Sequence, residues 1–529
     1  MPDVRPQRSA RSLQTIDVFL GFLCLYLVTA GRSLPFGDAR PMWMAAQSLV
    51  RHGTFAITMR WPVNAPPGSG GLFYPVAALL PVLVHVPGAL LQAGIAAIAP
   101  ARAPFVEAGT SQIAPLFLGA LVPALYFRLL RQLGYARRAV AWTTLMLGLG
   151  TSVWVYAHRP YSEIVQVVCF LLFFGSLLRC LDAPTRRALL QLGLAASLLI
   201  NSKNIYFVCL PGAALLVVAA ARRRADLRLA QLMWGAVGFA PGLLAFALYN
   251  LVRWGSPFRS GYEAVTTNFW TESVFTGLWG PLFSLGKSIF LFSPPLILAL
   301  FGWPALVRRR PRVAWVSLAT VAPVLLVYSH YLFWSGDWGW GARYWVFALP
   351  ILLLPLAELF EPGRLGRRLK VATASVLMAG VAVQVLGTAF VWDDFINISR
   401  NAQHAWLGTP DTKGTVLAPY TCHSCFEEVY PIQWLPSMQP IAGHWWLLRH
   451  KAAGHDWRTA EADAPWKRYT SLTADIQEPY EAAGIDWWPF GVGAGEHPII
   501  FVVALLALGV IPIRPWVTEL KEPGPERPE

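Results

Sequence analysis

Five ionisable residues interrupt otherwise apolar stretches of this chain: Asp38, Glu163, Lys203, Lys287 and Arg343. Two carboxylates at one water boundary would supply a general base and a partner that orients it or shares a metal ion. Lysine, a point charge, and arginine, a planar fork of donors, are the side chains that hold a phosphate. Together they would equip a site for group transfer from a phosphate-linked donor. Each residue also has a plainer reading. Asp38, in Phe36-Gly37-Asp38-Ala39-Arg40, stands where a helix over 42–50, stopped by Gly53, would take its N-cap. Glu163, in His158-Arg159-Pro160-Tyr161-Ser162-Glu163, would complement the dipole of the helix it opens. Lys203 (Asn201-Ser202-Lys203-Asn204), Lys287 (after Phe283-Ser284-Leu285-Gly286) and Arg343 (Gly339-Trp340-Gly341-Ala342-Arg343-Tyr344) would individually suit snorkelling to lipid headgroups. What sets the five apart is the side of a membrane on which the surrounding elements place them.

Those elements follow from composition. Of 529 residues, 55% are hydrophobic and 14% charged, whereas a soluble domain carries roughly 25% charged residues. Apolar runs of about 17–25 residues recur from residue 16 to residue 513, each long enough to cross a hydrocarbon core. The first run, 16–30, follows Arg5, Arg8 and Arg11 but has no small-residue cleavage site ahead of Arg32, so it reads as a span and not a signal peptide. The net charge of +14 is gathered into short clusters between apolar runs: Arg128, Arg131, Arg137 and Arg138; Arg179, Arg186 and Arg187; Arg222–Arg224 and Arg228; Arg308–Arg310 and Arg312; Arg364, Arg367, Arg368 and Lys370. That is the positive-inside pattern of a membrane protein, and nothing resembles a basic, aromatic-interleaved nucleic-acid domain.

Placing every cluster in the cytoplasm gives spans near 16–31, 111–131, 139–157, 163–180, 187–201, 205–221, 229–250, 287–306, 313–333, 344–361, 371–392 and 498–513, with both termini cytoplasmic. The expected fold is an α-helical multi-pass membrane protein of about twelve transmembrane helices with a small C-terminal extracytoplasmic domain. Its parts are a transmembrane module over 1–392 with a first outer loop at 32–110, the outer domain at 393–497, a last helix at 498–513 and a tail at 514–529. The apolar stretch 72–100 is long enough to span, but counting it would invert every later loop. It also carries His85 and four prolines, and reads as helices at the outer interface or re-entering the protein. In this layout all five ionisable residues face outward, and Lys203, Lys287 and Arg343 lie on the wrong side for the positive-inside rule. That favours anion binding over snorkelling.

The cysteines divide by compartment. Cys24, Cys169, Cys180 and Cys209 lie in or near spans, as inert apolar residues do. Cys422 and Cys425, in Cys422-His423-Ser424-Cys425, fall in the outer domain, where a disulfide, free thiols, or a metal site completed by His404 or His444 are the alternatives. Trp270, Trp279, Trp334, Trp338 and Trp340 suit an interface belt and, secondarily, stacking on a sugar ring.

An outward Asp soon after the first span, a Ser-Glu pair at the second outer turn, many spans and a C-terminal outer domain resemble the GT-C superfamily of polyprenyl-phosphate-dependent glycosyltransferases, near its protein O-mannosyltransferase and aminoarabinose-transferase branch. Three stretches resemble a bacterial set of such membrane proteins: Tyr249-Asn250 through Gly255-Ser256-Pro257-Phe258 to Gly261-Tyr262; Gly286-Lys287 to Phe292-Ser293-Pro294; and Trp340-Gly341-Ala342-Arg343-Tyr344 to Leu349-Pro350. The resemblance covers most of 16–392. It implies inverting transfer of a sugar from a polyprenyl-phosphate donor to a lipid, glycan or protein acceptor on the outer face of a cell membrane, a bacterial inner membrane. Asp38 would be the base, Glu163 the second acidic position, and Lys203, Lys287 and Arg343 would neutralise the leaving phosphate. Many relatives carry a second acid directly after the first. Here Ala39 follows Asp38, so a first-loop metal pair is not implied, and a divalent cation, Mg or Mn, stays a candidate cofactor. Another outer-face transferase, an O-acyltransferase or polysaccharide ligase, would share the topology but place a His or Arg constellation within spans. A transporter or flippase would put charges near the midplane and show matching halves, and a scaffold would not need the outward cations.

Overall fold

The computed structural model describes residues 13–392 except 32, 34–36, 59–64, 224–228, 265–269, 337–338 and 364–365, and beyond them residues 395, 433–434, 436, 439–453, 486–487, 515–516 and 520. Cys422, Cys425, His404 and the expected helix at 498–513 lie outside the described residues.

The described architecture is helical. The helices that position the site are α1 (Thr15–Val28), α2 (Ala39–His52), α3 (Ala103–Gln132), α4 (Arg137–Gly150), α5 (Glu163–Asp182), α6 (Arg186–Ser202), α7 (Met233–Trp254), α8 (Pro295–Arg309), α9 (Pro311–Ser329), α10 (Arg367–Ala389) and, in the later segment, α11 (Pro440–Ala452). Among the described residues, seven helical segments are long and apolar enough to cross a bilayer: Leu79–Ile98, Val106–Gln132, Glu163–Asp182, Asn204–Arg222, Met233–Trp254, Pro311–Ser329 and Arg367–Ala389. This is a multi-pass membrane protein.

Several expected spans fall on shorter or broken helices. The run 139–157 is α4 followed, after Thr151-Ser152, by the single turn Val153–Tyr156. The run 287–306 breaks between Ile289–Phe292 and α8. The two breaks are cross-braced, since the Ser152 backbone N–H donates to Ser293 Oγ at 3.1 Å and Ser152 Oγ donates to the Phe292 carbonyl at 3.2 Å. Freed backbone groups inside a membrane must find partners, and these serines supply them. The run 344–361 is a 3-10 turn, Arg343–Ala348, and two short helices, each opened by a proline. The stretch 72–100 contains Leu79–Leu83 and Val86–Ile98, broken at Val84-His85, with the buried His85 ring 3.3 Å from the Pro160 carbonyl.

Small residues let helices approach closely where lipid offers no hydrophobic drive. A Cβ at Gly193 of α6 or Gly238 of α7 would run into the backbone of the opposite helix. The closeness allows Asn201 Nδ2 to donate to the Gly242 carbonyl at 2.9 Å and Ser197 Oγ to the Phe239 carbonyl at 2.9 Å. α5, the most enclosed helix, runs 20 residues, about 30 Å. Glu163 opens it, and Asp182 closes it in an ion pair with Arg312. Near that far end, the buried Glu358 accepts from Tyr135 Oη at 2.9 Å and Arg310 Nε at 3.1 Å. The basic cluster 308–312 and Glu163 are therefore separated by the length of a membrane-spanning helix.

Candidate active site

Asp38 occupies the N-cap position of α2, as its sequence context suggests, but its carboxylate makes no capping bond. The turn is set by Gly37, whose φ of 52° is left-handed and whose missing Cβ leaves room for Tyr161, 3.0 Å away at its hydroxyl. Freed from capping, Asp38 Oδ2 accepts from Arg343 Nη2. Glu163 is the first residue of α5, and its Oε1 accepts from Arg343 Nε at 2.6 Å. One guanidinium thus joins carboxylates 305 and 180 residues away in the chain.

Arg343 reaches both because glycines in its loop leave room for its side chain. A Cβ at Gly336 would stand 2.5 Å from Arg343 Cβ, and one at Gly339 would stand 2.9 Å from the same atom. The guanidinium lies 4.7 Å from the centre of the Tyr161 ring and 5.8 Å from that of Tyr344. Burial alone would lower its pKa, but Asp38 and then Glu163 reverse the effect and hold it well above the ordinary arginine value.

Lys203 stands in the link between α6 and the 3-10 turn Asn204–Cys209. Its ammonium lies 4.7 Å from the centre of the Tyr344 ring and 5.5 Å from that of Tyr328, two rings stacked at 4.8 Å. Burial pushes it down to about 8, against the opposing pull of Glu163. Tyr262, 38% exposed as a whole, is raised to about 12 by burial of its phenol and by Asp38. Lys287 is wholly buried, and its Nζ donates to the Gly339 carbonyl at 2.6 Å. That bond is with the loop that carries Arg343, four residues ahead of that arginine. The structure therefore brings Asp38, Glu163, Arg343 and Lys203 together, with Lys287 behind the loop.

Asp38 and Glu163 contribute two negative charges, Arg343 and Lys203 two positive ones. Of the five N–H donors of a guanidinium, two are committed to the carboxylates, and among the described residues the other three have no hydrogen-bond partner. The two carboxylates meet through one cation. Arg343 takes the bridging position between them, and Glu163 Oε2 is their one buried oxygen without a hydrogen bond. Among the described residues no group of three His, Cys, Asp or Glu side chains could hold a metal. His444 is buried with Nδ1 2.7 Å from the Leu386 carbonyl. Cys24, Cys169, Cys180 and Cys209 are free thiols, the last three buried.

Sequence reasoning missed the aromatic floor of the site, Tyr161, Tyr328 and Tyr344, although two of these adjoin the motifs already singled out. It also missed Asp486, whose Oδ2 accepts from Arg159 Nη2 at 2.7 Å in a buried ion pair. No short-range pattern marks that contact, which spans 327 residues.

No family model and no curated protein matches this chain. Among solved structures it is similar to ArnT from Cupriavidus metallidurans bound to undecaprenyl phosphate, at 16% identity over 96% of this chain and 76% of that one, with a TM-score of 0.46. The apo state of the same ArnT gives 15% identity, the same coverage and 0.46. The apo form of an Archaeoglobus fulgidus oligosaccharyltransferase gives 10% identity over 75% of this chain and 59% of that one, at 0.40.

Proposed function

We propose that this chain is a membrane glycosyltransferase of GT-C type. It moves a sugar from a polyprenyl-phosphate donor to an acceptor on the extracytoplasmic face. The observation that carries the reading is the single buried guanidinium, Arg343, held between two carboxylates from distant loops with Lys203 beside it. This cluster stands at the opposite end of α5 from the basic residues expected in the cytoplasm. On this reading both termini are cytoplasmic, the spans number about twelve, and 393–497 forms an outer domain.

In the transfer step the acceptor hydroxyl oxygen attacks the anomeric carbon as its proton passes to Asp38. The bond from that carbon to the phosphate oxygen breaks, and the electron pair leaves with the phosphate. Charge growing on the departing oxygen is met by the free N–H groups of Arg343 and by the Lys203 ammonium. Glu163 keeps Arg343 aimed, and Lys287 adds its charge from beneath the loop while fixing Gly339. General-base assistance contributes about 10²–10⁴-fold.

The test is the purified protein with a panel of undecaprenyl-phosphate sugars, reading donor consumption. Asp38→Asn keeps a hydrogen-bond acceptor toward Arg343, so folding and membrane insertion are expected to survive while turnover falls by about 10³-fold. Near-normal turnover would remove Asp38 from the mechanism. An intact protein that consumes no donor, yet moves a lipid-linked glycan across vesicles, would establish the transporter instead.

A further inference from the structure

Asp486 belongs to the segment after residue 392, for which the reaction above assigns no residue. Its side chain is 2% exposed and both carboxylate oxygens are used. Oδ2 accepts from Arg159 at 2.7 Å, and Oδ1 accepts from the Ser33 hydroxyl. Its backbone N–H donates to the Ala389 carbonyl at 2.7 Å, at the end of α10, and the neighbouring Trp487 forms a bridge with Gly31. Gly31 admits the carboxylate, because a Cβ there would stand 2.7 Å from Asp486 Oδ2. Ser33 lies five residues before Asp38, and Arg159 lies four residues before Glu163. The Arg159 guanidinium also lies 5.5 Å from the centre of the Trp392 ring, which packs at 5.6 Å on Tyr161, the ring beneath Arg343.

We propose that Asp486 is a positioning residue. By holding Ser33 with one oxygen and Arg159 with the other, it sets the spacing of the two loops that deliver Asp38 and Glu163 to Arg343. Its contacts reach the site through both loops and not through substrate. Asp486 thereby contributes to transfer from outside the stretch that carries the reacting residues. The catalytic half of this inference rests on the transferase reading, whereas the mechanical half does not.

The two halves are tested separately on the full-length protein in detergent. Hydrogen–deuterium exchange of Asp486→Asn is expected to rise in peptides covering 31–38 and 158–163 and to stay unchanged in those covering 133–136 and 355–361, around Glu358. With an undecaprenyl-phosphate sugar that the native protein consumes, kcat is expected to fall by about 10–100-fold, the range of a displacement near 1 Å, with KM little changed. Asp486→Glu is expected to restore part of both.

A double variant, Asp486→Leu with Arg159→Leu, separates positioning from bulk stability, because an apolar pair can replace a buried ion pair without loss of stability. It is expected to recover the melting temperature but not kcat or loop protection. Unchanged exchange in both loops of Asp486→Asn, a uniform rise across the whole protein, or recovery of kcat together with melting temperature in the double variant would each overturn the proposal. If the native protein consumes no donor, the transferase reading fails, and the exchange result alone decides whether Asp486 ties the loops.

Discussion

Replacing Arg343 with glutamine removes one charge from between two carboxylates, and the structure says which of them suffers. In the pair with Glu163 the side chains are 9% and 3% exposed; in the pair with Asp38 they are 9% and 39% exposed. Breaking a buried pair by deleting one partner costs about 3–5 kcal/mol, because the remaining charge is stranded away from water. An exposed pair is worth about 1 kcal/mol or less. Lys203 stays near Glu163 and softens the loss, so Arg343→Gln is expected to destabilise by about 3 kcal/mol, nearly all of it through Glu163. Adding Glu163→Gln should then recover about 2 kcal/mol, since no buried charge is left to strand, whereas adding Asp38→Asn should recover about 1 kcal/mol at most. Denaturation of the purified protein, read as two double-mutant cycles, measures both couplings. If Asp38→Asn rescues Arg343→Gln as well as Glu163→Gln does, the argument from burial is refuted.

Lys203 gives a pH signature with two signs. The folded protein releases its proton near pH 8, while the unfolded chain keeps it to about 10.5. The stability penalty of the buried charge is thus full below pH 8 and is relieved as pH rises from 8 toward 10.5. Affinity for a phosphate-linked donor runs the other way, so KM should climb above pH 8, and Lys203→Met should abolish that climb. Lys287→Gln removes a charged donor from the Gly339 carbonyl and is expected to cost about 2 kcal/mol and to raise donor KM; an unchanged melting temperature would discharge Lys287 from supporting the Arg343 loop. Burial holds His158 near 3 and His444 near 4, so neither should give turnover a limb between pH 5 and 8. A limb near neutral pH that disappears in His158→Gln or His444→Gln would contradict that burial.

The membrane helices were legible because hydropathy reports whether a run fits in lipid. The breaks in them were not. Thr151-Ser152 and Ser293-Pro294 sit inside runs that average out as apolar, and what makes the breaks tolerable is a bond between two serines 141 residues apart. A window sliding along one segment has no access to the partner that satisfies it. The same limit hid Asp486, one acid among several in its stretch until Arg159 and Ser33 are brought to it.

For the site residues, position and use came apart. Asp38 is an N-cap by position, yet its carboxylate is spent on Arg343 and not on α2. Glu163 opens α5 beside the helix dipole, yet one oxygen meets the same guanidinium and the other is buried without a hydrogen bond. Local rules identified where each acid sits because caps and dipoles act within one turn of helix. They could not weigh those weak attractions against a buried cation delivered from 180 or 305 residues away, which outbids a cap of about 1 kcal/mol. Lys287 shows the converse: its charge was noticed from sequence, but only packing shows its ammonium wholly enclosed against a carbonyl. A charge in an apolar context therefore marks a place where chemistry or support is concentrated. Which of the two it serves depends on what remains undonated once the fold has closed, and among the described residues that remainder at Arg343 is three N–H groups.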